Sequence, residues 1–207
     1  MLDRHIHPRL KLLLHRCVSI IDKPAITPDG LTLVGFAIGV LALPFLALGW
    51  YLAALAVIVL NRLFDGLDGA LARRRGLTDA GGFLDITLDF LFYALVPFGF
   101  MLADPAANSL AGGWLLFAFM GTGSSFLAFA ALAAKHQIDN PGYAHKSFYY
   151  LGGLTEGTET ILLFVLGCLF PEYFAVMAWV FGALCWMTTF TRIWSGYLTL
   201  KAVQRQA

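Results

Sequence analysis

Tyr51-Leu-Ala-Ala-Leu-Ala-Val-Ile-Val-Leu60 runs without a break into Asn61-Arg62-Leu-Phe-Asp65-Gly-Leu-Asp68-Gly69-Ala-Leu-Ala72-Arg73-Arg74-Arg75. The first half is chain that dissolves in lipid, and the second half carries carboxylates and ends in three arginines. A hydrocarbon layer takes about 20 helical residues to cross, so the stretch is long enough to span with its charged end at one surface. Carboxylates within a span cost at least ~2.5–3.5 kcal/mol each on insertion scales, so Asp65 and Asp68 read as functional residues. The rest of the chain agrees with a membrane setting. Its 207 residues are 59% apolar and 13% charged, against about 45–50% and about 25% in soluble domains. A soluble globular fold, a disordered chain and a second soluble domain are thereby excluded. Fourteen Lys and Arg against thirteen Asp and Glu leave a net charge of +1, which names no nucleic-acid partner. Cys17, Cys168 and Cys185 are too scattered for a disulfide framework or a metal motif and read as packing residues.

Working outward, six spans are expected near residues 30–49, 51–74, 82–103, 111–134, 147–170 and 173–198, in an all-α polytopic bundle covering 27–207. Residues 1–26 are expected to form an interfacial amphipathic helix. There Ile6, Leu10, Leu13, Leu14, Cys17, Ile20 and Ile21 share one face, and Arg9, Lys11, His15, Arg16 and Asp22 the other. Thr27-Pro28-Asp29-Gly30 is a turn signal from which Pro28 starts the first span. The connections after spans one, three and five hold no Lys or Arg, whereas Arg4, Arg9, Lys11, Arg16, Lys23, Arg73 to Arg75, Lys135, Lys146, Lys201 and Arg205 lie on the other side. The positive-inside rule then places both termini and the second and fourth loops in the cytoplasm.

Spans two and three bring the chemistry. Asp65 and Asp68 are i,i+3 on a stripe with Asn61, Gly69 and Ala72, and Asp85 and Asp89 are i,i+4 on one face of span three. A short loop makes the two helices antiparallel neighbours, so both pairs meet at the cytoplasmic end. Four facing carboxylates repel unless protonated or bridged, and oxygen ligands with no Cys or His nearby suit Mg²⁺ or Mn²⁺. Such ions keep open positions for phosphates. Gly69 and Ala72 leave a floor where a nucleotide can approach the backbone, and Arg73 can reach a diphosphate. The reaction this suggests is displacement at phosphorus, with a spare carboxylate deprotonating an incoming hydroxyl. A purely structural polar network with Arg62 and Arg73 to Arg75 would not require the Gly and Ala stripe.

Asp65-Gly-Leu-Asp68-Gly69-Ala-Leu-Ala72-Arg73, seven residues, Gly81, three residues, Asp85, three residues, Asp89 resembles the signature of the CDP-alcohol phosphotransferases. The spacer before Gly81 is one residue shorter than that signature's commonest form. Thr27-Pro28-Asp29 is similar to the family's Thr-Pro-Asn at the start of span one, and the architecture of an interfacial helix with six spans covers nearly the whole chain. The resemblance implies a lipid enzyme that moves a phosphatidyl group from CDP-diacylglycerol to an acceptor alcohol, releasing CMP. It implies one or two divalent ions on Asp65, Asp68 and Asp85. Asp89 would be the general base and a further metal contact, with Asp85 beside it in the catalytic pair. Gly69, Ala72, Arg73 and Thr78 would line the nucleotide and diphosphate, and Pro28, Asp29, Gly30 and Leu31 would border the cytidine. Thr78 reads equally as a helix N-cap. The site would open to the cytoplasm of a bacterial inner membrane, with a homodimer packed through Gly121, Gly123, Ser124 and Ser125 left open.

Glu156 and Glu159, i,i+3 at the start of span five, are expected to form an acceptor pocket with Lys146 or to pair with Arg62, Arg192, Ser124 or Ser125. Thinly spread cations tilt the reading away from a phosphorylated acceptor. His136 and His145 read as interfacial, and Tyr143, Tyr149 and Tyr150 as an interface belt. Two other chemistries compete. A CDP-alcohol:diacylglycerol phosphotransferase would use the same site, and a cation-coupled transporter would use the carboxylates without reaction, though no inverted repeat supports it.

Overall fold

The computed structural model describes residues 18–19, 22–138 and 153–204, and every regular element among them is helical. In order these are α1 (Pro28–Val40), α2 (Ala42–Ala47), α3 (Tyr51–Arg75), α4 (Asp79–Ala103), α5 (Pro105–Lys135), α6 (Gly157–Leu169), a short 3₁₀ turn (Pro171–Tyr173) and α7 (Phe174–Gln204). Pro28–Ala47, Asp79–Ala103, Pro105–Lys135 and Pro171–Val203 are long and apolar enough to cross a membrane. α3 has 25 residues but carries the charged stretch, and α6 has 13, a rise of about 20 Å that falls short of a full crossing.

Local chemistry sets most of these boundaries. Thr27 caps α1, its hydroxyl accepting from the Gly30 amide at 3.0 Å, with Pro28 in the first turn. The first span breaks at Leu41, three residues before Pro44, which has no N–H for the Val40 carbonyl. The chain tightens there, Leu41 N donating to Ile38 O at 3.1 Å. α3 ends at Gly76, whose φ of 109° suits a residue without Cβ. Only Gly76 to Thr78 separate it from α4, so the two form a tight helical hairpin. Thr78 caps α4 and Asp104 caps α5 in the same manner as Thr27.

α1 packs on α3 and α4, α5 along α7, and α6 bridges α3 and α7. The approach of α1 to α3 rests on Gly35 and Gly39. A Cβ on Gly35 would lie 2.7 Å from Phe64 Cβ, and one on Gly39 would lie 2.8 Å from Asn61 Nδ2. Phe92, Phe100, Phe164 and Phe174 fill the buried centre, with Phe100 and Phe174 stacked at 4.0 Å. The outside is as apolar as the inside: Leu52, Leu110, Met120 and Phe190 are all exposed, as lipid-facing side chains are.

Several expectations change here. The helix of the fifth span starts at Gly157, because Glu156 and Glu159 form a reciprocal capping box with each other's backbone. Gly121 and Gly123 are occupied by intrachain packing, against Thr189 at 3.1 Å and Phe90 at 3.0 Å. Ser124 and Ser125 bond carbonyls of their own helix. Cys168 and Cys185 are buried and free, as packing residues should be. The expected interfacial helix up to Cys17, and Lys146, Tyr143, His145, Tyr149 and Tyr150, lie outside the described residues.

Candidate active site

The hairpin of α3 and α4 brings Asp65, Asp68 and Asp85 together: one carboxylate oxygen from each lies within 4.8 Å of the other two. The helical period does the local work, since i,i+3 on α3 and i,i+4 on α4 put each pair on one face. Asp89, one turn deeper on α4, is outside that triad. It accepts instead from Arg62 Nη2 at 2.8 Å. Arg62 also stands 3.6 Å from Asp65 across one turn of α3, and its Nε donates to Asn61 Oδ1 at 2.8 Å. Asn61 is buried and donates to the Gly35 carbonyl at 2.9 Å, tying α1 to this layer.

Thr32 completes the group from α1. Its hydroxyl lies 2.5 Å from Asp68 Oδ2 and 3.1 Å from the Pro28 carbonyl, and its one proton goes to the nearer carboxylate. The residues around the triad enclose an open cavity of about 230 Å³, lined also by Phe36 and Leu88. That is below the ~300–1,000 Å³ of a typical ligand pocket, and of a size for an ion with the phosphate oxygens around it. Three carboxylates at this separation with one guanidinium at their edge form an oxygen-only donor set with excess negative charge. Such a set fits a hard divalent cation.

The mouth of the cavity gathers the other predicted residues. Arg73 folds back over Gly69, where a Cβ would come within 3.2 Å of its Nη1. Ala72 serves the helix end, its carbonyl accepting from Gly76 N. Asp29 Oδ1 and Thr78 Oγ1 both crowd Gly81, at 3.0 and 2.9 Å from a Cβ built there, so the starts of α1 and α4 share one corner. Gly30 is held close to Thr27 by the cap. Leu31 turns into a small apolar cluster with Val18, Ala70 and Leu71.

Three assignments differ from the sequence reading. Glu156 and Glu159 are engaged in capping, with Gly153 N donating to Glu156 Oε1 and Glu156 N to Glu159 Oε2, both at 3.1 Å. Arg62 is committed to Asp89 and Asp65. Arg74 and Arg75 grip Asp22 at 3.0 and 2.6 Å, and Arg75 also donates to the carbonyls of Lys23 and Ile26. Arg192 is buried in α7 and donates to Thr122 O at 3.2 Å. The reading missed Thr32. Its signal was the stripe Thr32, Gly35, Gly39, which marks the face of α1 that meets α3.

Residues 25–194 match the family described as CDP-alcohol phosphatidyltransferase. The chain belongs to that family. Among its relatives in this phosphatidyltransferase family, the Escherichia coli K12 protein called Inner membrane protein YnjF is 87% identical over 206 residues, the full length of both chains. The Archaetidylinositol phosphate synthase of Pyrococcus horikoshii is 28% identical over 197 residues, 95% of this chain and 97% of that one. In fold, the phosphatidyltransferase is similar to phosphatidylinositol phosphate synthase (PgsA1) of Mycobacterium tuberculosis. With CDP-DAG bound, that structure superposes at a TM-score of 0.62 and 23% identity, covering 91% of this chain and 93% of that one. In complex with manganese and citrate it superposes at 0.64 and 22%, covering 91% and 88%.

Proposed function

We propose that this phosphatidyltransferase moves a phosphatidyl group from CDP-diacylglycerol to an acceptor alcohol at the cytoplasmic face of a bacterial inner membrane. The observation that carries the reading is the division of four carboxylates into a converged triad and one held apart. Asp65, Asp68 and Asp85 would hold one or two Mg²⁺ or Mn²⁺ ions, with Thr32 orienting Asp68. What a divalent cation supplies there, when bound, is neutralisation of the diphosphate and of the departing CMP. Arg73, lying over Gly69, binds the diphosphate from the mouth, and the corner of Pro28, Asp29, Gly30 and Thr78 borders the nucleotide. Asp89 takes the proton of the acceptor hydroxyl. The hydroxyl oxygen bonds to the phosphorus that carries diacylglycerol, and the bond from that phosphorus to the cytidylate oxygen breaks in line, so CMP leaves with the electron pair. The CDP-DAG and manganese carried by the fold relative support this substrate and cofactor class.

Relatives named for inositol phosphate lipids also favour a phosphorylated polyol as acceptor. With Glu156 and Glu159 engaged in capping, the acidic pocket that argued for an amine-bearing alcohol loses its ground. Arg192, with Lys146, supplies the cationic side of such a site. The E. coli relative's name supports the inner membrane, and the arginines at the end of α3 support a cytoplasmic site. The test is CMP release by purified protein in lipid given CDP-diacylglycerol, Mn²⁺ or Mg²⁺, and either free or phosphorylated polyols, beside Asp89→Asn. Metal-dependent release that the variant loses is expected, larger with the phosphorylated pool. Release only from CDP-ethanolamine or CDP-choline with diacylglycerol would reverse the donor assignment, and silence from folded protein with every donor would sink the reading.

A further inference from the structure

Arg62 occupies a place that the transfer chemistry does not require. It sits one turn deeper in α3 than Asp65, level with Asp89 on α4, and closes the bottom of the cavity. Its guanidinium is restrained on several sides: Asp89 at 2.8 Å, Asn61 Oδ1 at 2.8 Å, and the Phe92 and Tyr93 rings with centroids 4.7 and 5.4 Å from Cζ. Asn61 is in turn fixed to the backbone of α1 at Gly35. A cation so held cannot follow a moving carboxylate, and a charge pair in this apolar layer is weakly screened. Without Arg62, nothing described in this layer would keep Asp89 from turning one helical step toward the triad.

We propose that Arg62 is a positioning residue that partitions the four carboxylates. It holds Asp89 off the metal-binding triad, so that Asp65, Asp68 and Asp85 take the cation and Asp89 stays free of it as the proton acceptor. The proposal rests on the transfer reading above for the role of Asp89, but its geometry is tested without substrate.

The experiment is Mn²⁺ titration of the full-length protein in lipid nanodiscs, with free Mn²⁺ followed by its electron paramagnetic resonance signal. Arg62→Gln removes a cation beside the triad and releases a fourth carboxylate, so Mn²⁺ affinity should rise about tenfold or more. Arg62→Gln combined with Asp89→Asn loses one charge of each sign and should return to within about threefold of the parent affinity. A merely structural Arg62 would leave affinity unchanged or lower it in both. Arg62→Lys keeps the charge and should retain part of the CMP release that Arg62→Gln loses. If Arg62→Gln does not fold, the structure of the parent protein loaded with Mn²⁺ decides: Asp89 still on Arg62 supports the proposal, and Asp89 ligating the ion overturns it. Folded Arg62→Gln binding Mn²⁺ no more tightly than the parent also overturns it. Silence in the CMP assay with these affinities as expected would reject the transfer reading and leave the partition standing.

Discussion

Thr32 is the residue through which the first helix reaches the carboxylates, and its hydroxyl is aimed at Asp68 at 2.5 Å. Groups that orient a metal ligand are worth about 10–100-fold in metal affinity. Thr32→Val is therefore expected to weaken Mn²⁺ binding by about tenfold and to lower CMP release at limiting metal, with recovery at saturating metal and with Thr32→Ser. A loss that excess metal does not restore would mean that Thr32 serves packing alone. Gly69 invites a second test, because Arg73 lies over it with 3.2 Å between Nη1 and a would-be Cβ. Gly69→Val should push the guanidinium aside and raise KM for CDP-diacylglycerol by about tenfold, the loss of one charge-assisted contact, with little change in Tm. The carboxylate positions were legible beforehand because i,i+3 and i,i+4 spacing is a property of one helix. The division of labour among them was not, since it depends on a guanidinium whose partner sits on another helix.

At the scale of elements, two devices hold α1 against the hairpin. Gly35 and Gly39 let the backbones approach, and Asp22 is clasped by Arg74 and Arg75 at the end of α3. Gly39→Leu would drive a branched side chain into Asn61 and Phe92, an overpacking that costs about 1–3 kcal/mol or more. A lower Tm with loss of activity is expected, and an unchanged Tm would show that α1 can slide on α3. The Asp22–Arg75 contact is partly exposed, so a double-mutant cycle of Asp22→Ala and Arg75→Ala should give a coupling of only about 1 kcal/mol. A coupling indistinguishable from zero would return Arg75 to the headgroup-facing role that its place in a cation run suggested. The capping box of α6 could have been anticipated from Glu156 and Glu159, whose i,i+3 spacing is that of a helix start as much as of an acidic pocket. Which use prevails depends on where helix α6 begins, and Thr188 settles that from α7 by accepting from the Leu154 and Thr155 amides at 3.1 Å.

For the whole molecule, the arginines at the end of α3 and the cation-free link before α5 lie at opposite ends of α4, and the proposed orientation can be read by labelling. In protein lacking Cys17, Cys168 and Cys185, Leu77→Cys between α3 and α4 should react with an impermeant maleimide only in inside-out vesicles. Ala106→Cys at the start of α5 should react in intact spheroplasts, and the opposite pattern would invert the topology and move the site to the outer face. The sequence by itself determined that this is an all-helical membrane protein with carboxylates clustered at one end of a helical hairpin, and it carried the family resemblance. Those are consequences of composition and of the 3.6-residue period, both local. Tertiary structure alone decided that Thr32 serves Asp68, that Arg62 takes Asp89, that Arg75 holds Asp22 and that Gly121 and Gly123 are filled from within the chain. Each of these joins residues on different helices, and the distance between helices is set by how closely glycine lets two backbones approach, which no single stretch of sequence specifies.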